Sequence, residues 1–119
     1  MGDLFNKQDE FTDDMCDMIA HLRQVGVKKS LREVFRTEEQ ENIYRKIGAS
    51  ALPPSVHSDH EYGLAGDLII CDLYGVPSSD FNYLLPYAVF WESLRPGNYW
   101  GGRWKHPYDC CHFGRRHDK

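Results

Sequence analysis

The strongest constraint on the fold lies in residues 58–67, where small residues separate a histidine from an aspartate. Two glycines and an alanine stand between His60 and Asp67, and such residues let the backbone turn sharply and pack closely. The apolar run at residues 68–71 follows at once and predicts a buried strand. Asp67 is therefore expected at the start of a rigid element.

An imidazole and a carboxylate in this arrangement suit a borderline cation such as zinc. An open, catalytic zinc site needs three protein ligands, so a third donor should lie elsewhere in the chain. Cys110 and Cys111 stand beside His112 and are candidates, although the favoured interpretation is that one packs inward and the other is incidental. His57 also has the spacing to bind a metal together with His60, but it is not included among the predicted ligands.

The composition excludes several classes of protein. A chain of 119 residues predicts one domain, and its net charge of -4 argues against nucleic-acid binding. No apolar run approaches a membrane span, the N-terminus lacks a signal-peptide pattern, and the four cysteines form no C-x-x-C pair. We therefore expect a reducing compartment, and a protein kept in the cytoplasm unless another factor releases it. We also expect a monomer.

The N-terminal half predicts two helices with a short strand between them. The first helix is predicted over residues 9–25, with Gly26 as its stop, and residues 27–35 predict a strand or extended segment. Thr37 and Gln40 predict a capping box for the second helix, which should stop at Gly48 before a loop at residues 49–57. The inner face of the second helix is expected to consist of Ile43, Tyr44 and Ile47.

The C-terminal half predicts a strand, a helix and an aromatic segment. The strand should cover residues 66–73 and lead into a turn at residues 74–77, with Asp72 as a strand-end or turn acid. Ser78 or Ser79 should cap a helix that runs to about residue 94, and Pro86 predicts a kink or two shorter helices. Residues 99–114 combine aromatics and glycines, as the wall of a cleft requires.

Four motifs follow one another along the chain: Arg36-Thr37-x-x-Gln40, Ser58-x-His60-x-x-Gly63-x-Ala65-x-Asp67, Trp100-Gly101-Gly102-x-Trp104 and Asp109-x-x-His112-Phe113. Together they resemble the zinc peptidases of peptidoglycan. These comprise D-alanyl-D-alanine carboxypeptidases and dipeptidases, and L-alanyl-D-glutamate endopeptidases that include bacteriophage endolysins. The resemblance covers residues 36–113 and implies a hedgehog/DD-peptidase-like α+β domain, a small antiparallel sheet with helices packed against it.

The resemblance also implies the roles of individual residues. His60, Asp67 and His112 would bind Zn²⁺, with water completing the tetrahedron. Asp109 matches the position of the general base, and Arg36 matches the cation that polarises the substrate carbonyl or stabilises the oxyanion. A solvated surface position is the alternative for Arg36.

Further residues are expected to contact or support the substrate. Ser58 and Gln40 would contribute through hydrogen bonds, and Trp104 and Tyr108 would line the groove. The alternative for Trp104 is that it is a core residue. For Trp100, a core position is the favoured prediction. The chain departs from the family pattern at Gly66 and Gly114, where an apolar residue and a polar or acidic residue are usual, and at Cys110 and Cys111, which fill the interval between base and third ligand.

The resemblance implies a single zinc peptidase catalytic domain over residues 1–119, without a cell-wall-binding domain. Aspartate at position 109 favours an L-alanyl-D-glutamate endopeptidase over a dipeptidase, and the expected substrate is a peptidoglycan stem peptide. The expected role is that of a phage endolysin, held in the host cytoplasm until it is released to the wall. D-Alanyl-D-alanine carboxypeptidase or dipeptidase activity is one alternative, and a non-catalytic, zinc-stabilised virion or interaction module is another.

Overall fold

Three α-helices accompany a four-stranded antiparallel sheet in the computed structural model, which describes residues 2–35, 37–47, 59–105 and 108–118. This arrangement confirms the predicted α+β class. The elements in chain order are α1 (Gly2–Gln24), β1 (Lys29–Leu31), α2 (Glu38–Lys46), a 3₁₀ helix (Asp59–Tyr62), β2 (Ala65–Ile70), α3 (Phe81–Leu94), β3 (Asn98–Trp100), a second 3₁₀ helix (Gly101–Arg103) and β4 (His112–Arg115).

The strand order β1-β2-β4-β3 places β2 and β4 at the centre of the sheet. Asp67 of β2 lies directly opposite His112 of β4, and Gly114 lies opposite both Ala65 of β2 and Tyr99 of β3. Because side chains alternate between the two faces of a strand, His112 and Gly114 point to the same face of β4. The register therefore brings residues that are distant in sequence onto one face of the sheet.

Aromatic and aliphatic side chains from α1, α3 and the sheet form a single core. Phe11 of α1 meets Trp91 of α3 edge to face, with ring centroids 5.7 Å apart, and the Trp91 indole donates to the carbonyls of Tyr99 and Gly114. The core thus fixes α3 against β3 and β4. Within the described residues, no helix has both the length and the apolar character needed to cross a membrane.

Helix α1 begins seven residues before the predicted start, at Gly2, and ends at Gln24, one residue before the predicted end. Phe11, Met15, Met18 and Leu22, which recur at helical spacing, are buried, whereas Val25 is exposed. Gly26 adopts a φ of 78°, a left-handed conformation that favours glycine and ends the helix. The prediction missed the first two turns because their residues carry almost no apolar periodicity and are mostly exposed.

Helix α2 has the predicted capping box, since Thr37 accepts from the backbone of Gln40 and Gln40 accepts from the backbone of Thr37. Of the three residues predicted for its inner face, Tyr44 is half-buried and the two isoleucines are exposed. Ile43 and Ile47 are 56% and 70% exposed, and the buried residue of this helix is Glu41. The predicted loop at residues 49–57 and the stop at Gly48 lie outside the described residues.

The boundaries after β2 also differ from the predictions. Strand β2 ends at Ile70 because Asp72 then accepts hydrogen bonds from the backbones of Tyr74 and Val76, which confirms the turn. Asp80, rather than a serine, caps α3. Pro86 lies inside one helix in the second turn, where its missing N–H removes a single hydrogen bond.

Candidate active site

His60 is held on the short 3₁₀ helix that precedes β2. Gly63 ends this helix with a φ of 67° and donates its backbone N–H to the carbonyl of His60 at 3.1 Å. A left-handed φ strains residues with a side chain, so glycine suits this position. The turn buries the His60 ring, which is 2% exposed, and leads directly into the strand that carries Asp67.

Asp67 and His112 face each other across the two central strands. The rings of His60 and His112 meet edge to face, with centroids 5.1 Å apart. Among the residues that the structure describes, His60, Asp67 and His112 form a group that could hold a metal ion, each offering one donor atom within 4.8 Å of the others. The three residues predicted as ligands are therefore brought together.

The donor set fits a cation such as zinc. The Nδ1 of His60 lies 3.0 Å from the carbonyl oxygen of Val34, and a carbonyl only accepts, so Nδ1 carries a hydrogen toward it. The Nε2 atom lies 3.3 Å from Oδ1 of Asp67. A cation between these two atoms would satisfy both, and tetrahedral ligands 2.0–2.2 Å from zinc lie about 3.4 Å apart.

His112 is held on its other side by a residue for which the sequence predicted no role. The Tyr99 hydroxyl lies 3.0 Å from Nε2 of His112 and also hydrogen-bonds the Asp59 carboxylate. Burial, and then the negative charge of Asp59, raise the pKa of Tyr99. Tyr99 directly precedes the Trp100-Gly101-Gly102 motif and Asp59 directly precedes His60, so adjacency to a motif was the available signal.

Asp109, the predicted base, stands at the edge of the donor group. Its backbone carbonyl accepts from the N–H of His112 at 3.2 Å, and its Oδ2 lies 3.9 Å from Nδ1 of His112. Its side chain is 38% exposed. A carboxylate in this position can reach both the donor group and solvent, which a proton acceptor requires.

Two glycines of the predicted motif allow the chain to pass close to the site. A Cβ at Gly101 would lie 2.5 Å from the carbonyl oxygen of Asp109 and 2.8 Å from Cβ of His112. A Cβ at Gly102 would lie 2.1 Å from the ring of Trp100, which is buried as predicted. Close packing, rather than a left-handed backbone, accounts for glycine at both positions.

Three of the residues predicted to contact the substrate are described by the structure, and each lies in a different setting. Trp104 is 39% exposed and its ring lies 4.9 Å from that of His112, so it borders the donor group. Tyr108 is also partly exposed and donates to the carbonyl of Ser79 at 2.8 Å. Gln40 takes part in the capping box of α2. Arg36, Ser58 and His57 lie outside the described residues, and the roles predicted for the first two stay predictions.

Neither Cys110 nor Cys111 belongs to the group of metal donors found among the described residues. The Cys110 carbonyl accepts from the Trp100 indole at 2.8 Å, and its side chain packs against the core. Burial raises the pKa of the Cys111 thiol to about 12, and the carboxylates of Asp109 and Asp67 add to this effect. Both thiols are thus partly buried side chains that favour their protonated form.

Comparison with known proteins places the chain in a family. The sequence profile of a D-alanyl-D-alanine carboxypeptidase family matches residues 53–115, which is more than half of the chain and includes His60, Asp67, Asp109 and His112. The chain belongs to this carboxypeptidase family. This membership confirms the resemblance predicted from the motifs and identifies the protein as a peptidase.

A solved structure supports the same relationship. The carboxypeptidase-family chain is similar to the L-Ala D-Glu endopeptidase ChiX of Serratia marcescens, with 26% sequence identity and a TM-score of 0.59. The match covers 76% of this chain and 68% of ChiX. A search of curated protein sequences gives no significant match.

Proposed function

We propose that this protein is a zinc-dependent peptidase of peptidoglycan, and specifically an L-alanyl-D-glutamate endopeptidase. The observation that carries the proposal is the convergence of His60, Asp67 and His112 beside the carboxylate of Asp109. The endopeptidase assignment is supported by the similarity to ChiX and by aspartate at the base position.

The proposed metal site uses two imidazoles and one carboxylate. A zinc ion held by these side chains would act as a Lewis acid on the scissile carbonyl and acidify an attacking water molecule. The protein supplies the rigidity, because Asp67 and His112 are paired on central strands and His60 is fixed by the carbonyl of Val34. Hydrogen-bond partners of this kind orient the side chains that would bind the metal.

Asp109 would act as the general base and acid. Its carboxylate accepts the proton of the attacking water and then returns it to the departing amine, so one group serves both steps. Its exposure allows it to meet water and substrate together. Arg36 would polarise the substrate carbonyl, and Ser58, Gln40, Trp104 and Tyr108 would position the stem peptide.

The test is digestion of purified peptidoglycan followed by mass spectrometry of the fragments. New N-terminal D-glutamate is expected, and it should disappear with a chelator and in His60→Ala. Asp109→Asn should retain zinc and lose turnover. Fragments that still appear after chelation would contradict zinc dependence, and intact peptidoglycan in every digest would contradict the assignment as a peptidoglycan peptidase.

A second candidate function is D-alanyl-D-alanine carboxypeptidase or dipeptidase activity, which the family's description favours. The same digest separates the two activities, because release of free D-alanine without new N-terminal D-glutamate would replace the endopeptidase assignment.

We also propose that the protein acts as a phage endolysin, which stays in the host cytoplasm until lysis. Loss of turbidity of permeabilised Gram-negative cells, abolished by His60→Ala, is the expected result.

A further inference from the structure

Tyr99 connects His112, the third of the proposed metal ligands, to the carboxylate of Asp59. Its hydroxyl lies 3.0 Å from Nε2 of His112 and hydrogen-bonds Oδ2 of Asp59. The planes of the two rings are inclined by 29°, with centroids 5.5 Å apart. These contacts join β3, β4 and the 3₁₀ helix that carries His60.

The hydrogens of this chain of contacts can be assigned from chemistry. An ionised carboxylate only accepts, so the one hydroxyl hydrogen of Tyr99 goes to Asp59. The hydroxyl oxygen then offers a lone pair to His112, whose Nε2 must carry the hydrogen. In a neutral imidazole the other nitrogen, Nδ1, is left with its lone pair, and Nδ1 is the atom that faces Asp109.

We propose that Tyr99 and Asp59 are positioning residues that fix His112 as the Nε2–H tautomer and so present Nδ1 to the metal. The inference rests on the proposed function for the identity of the metal. A ligand histidine commonly donates its second N–H to such a partner, which orients the ring and raises the basicity of the ligand nitrogen.

Gly114 provides the space that Tyr99 needs. The two residues are direct cross-strand partners, and a Cβ at Gly114 would lie 2.5 Å from both the hydroxyl oxygen and Cζ of Tyr99. Glycine at this position therefore accompanies the phenol, because the ring of Tyr99 occupies the space that a side chain would need.

Asp59, at the end of this chain of contacts farthest from His112, is also fixed by a neighbouring side chain. Nδ1 of His117 lies 3.0 Å from the second oxygen of Asp59, and the His117 ring stacks on Tyr62 with centroids 4.5 Å apart. The carboxylate of Asp59 is thus held between two side chains and its own side chain is only 15% exposed. Its orientation toward Tyr99 is fixed before any metal binds.

The test compares Tyr99→Phe with Tyr83→Phe. Each variant removes one phenolic hydroxyl that has a hydrogen-bond partner, but the Tyr83 hydroxyl donates to the backbone of Cys71 at the far end of β2. Tyr99→Phe keeps the ring beside Trp104 and His112. We expect zinc affinity, measured by competition with a chromogenic chelator, to fall about 10- to 100-fold in Tyr99→Phe and to be unchanged in Tyr83→Phe.

A second readout needs no metal. Long-range ¹⁵N–¹H NMR of the metal-free protein at mildly alkaline pH should show His112 as the Nε2–H tautomer, and as a mixture of tautomers in Tyr99→Phe. Gly114→Ala should produce the same mixture by displacing the phenol. Equal zinc affinities of Tyr99→Phe and wild type, or an Nδ1–H tautomer in wild type, would overturn the proposal. A wild type that binds no zinc but shows the expected tautomer would contradict the proposed function alone.

Discussion

Gly101 allows the backbone of its motif to pass close to Asp109 and His112. A side chain there would press on the backbone of Asp109 and on His112, and neither contact is with the end of a flexible side chain. Gly101→Ala should therefore lower the free energy of unfolding by about 1–3 kcal/mol. The measurement is urea unfolding, with Gly2→Ala as control because a Cβ at Gly2 meets nothing within 4 Å. Equal unfolding midpoints for the two variants would contradict this account of Gly101.

The cysteines should differ in reactivity. Cys16 is exposed, whereas Cys111 is partly buried and has a pKa raised to about 12 by burial and nearby carboxylates. Iodoacetamide should label Cys16 at least roughly tenfold faster than Cys111 in the folded protein, because the thiolate is the reactive form. Peptide mapping by mass spectrometry measures both rates, and the difference should vanish in urea. Faster labelling of Cys111 would show that the thiol is accessible and ionised.

At the scale of residues, motif spacing predicted which donors come together but not what surrounds them. His60, Asp67 and His112 were predicted from motifs and do converge. Tyr99 was not predicted, because its contact with His112 depends on the pairing of β3 with β4. A cross-strand partner cannot be read from a sequence until the register is known.

Helix α1 is joined to β4 and to Arg95, the residue after the end of α3, by a cluster of ion pairs. Glu10 accepts from Arg115 at 2.7 Å and from Arg95 at 2.6 Å, and Arg95 also donates to the buried Asp14. The hydrogen bond from Arg115 is the largest effect and lowers the pKa of Glu10 below its usual value of 4.5. The charges of both arginines act in the same direction.

This shift gives Glu10 a pH-dependent contribution to stability. Its folded pKa is depressed, so the contribution is complete above pH 4.5 and is lost as the pH falls through the lower folded value. Glu10→Gln should therefore be less stable than wild type at neutral pH, and the difference should shrink under acidic conditions. Urea midpoints at both pH values measure it, with the exposed neighbour Asp9→Asn as control. A difference that stayed constant with pH would contradict the assignment.

At the scale of elements, local signals predicted well where local chemistry decides. The capping box of α2 and the stop at Gly26 are decided by residues adjacent in sequence. The buried face of α2 is not decided by residues adjacent in sequence. Glu41 is buried and Ile43 is exposed, which is the opposite of what apolar periodicity predicts. The single helix α3 around Pro86 likewise depends on core contacts of Leu84, Ala88 and Trp91 that outweigh one lost hydrogen bond.

For the whole molecule, the proposed zinc site should add to stability. Its donors come from the first 3₁₀ helix, β2 and β4, so binding would favour the folded state over the unfolded chain. Zinc at a hundredfold excess over its dissociation constant should raise the free energy of unfolding by about 2.7 kcal/mol. Thermal unfolding with and without zinc measures this. The variant His112→Ala should lose most of this zinc-dependent increase in stability. The control is His21→Ala, which should keep the increase, because the native His21 ring stacks on Phe90 away from the site.

The fold class was predictable as a whole because four motifs in one order specify it, and the sheet confirms it. Local patterns in the sequence do not specify the order of the strands. β4 is the last strand in sequence yet lies between β2 and β3, and only long-range pairing decides such a placement.

The central position of β4 has a consequence for the time at which activity first arises. During synthesis β1, β2 and β3 leave the ribosome before β4, so a nascent chain lacks both the strand that joins β2 to β3 and the donor atom of His112. Domains fold as units once the required segments are available. A nascent chain whose β4 has not yet left the ribosome should therefore be inert, and hydrolytic competence should appear in one step once β4 has paired with β2 and β3.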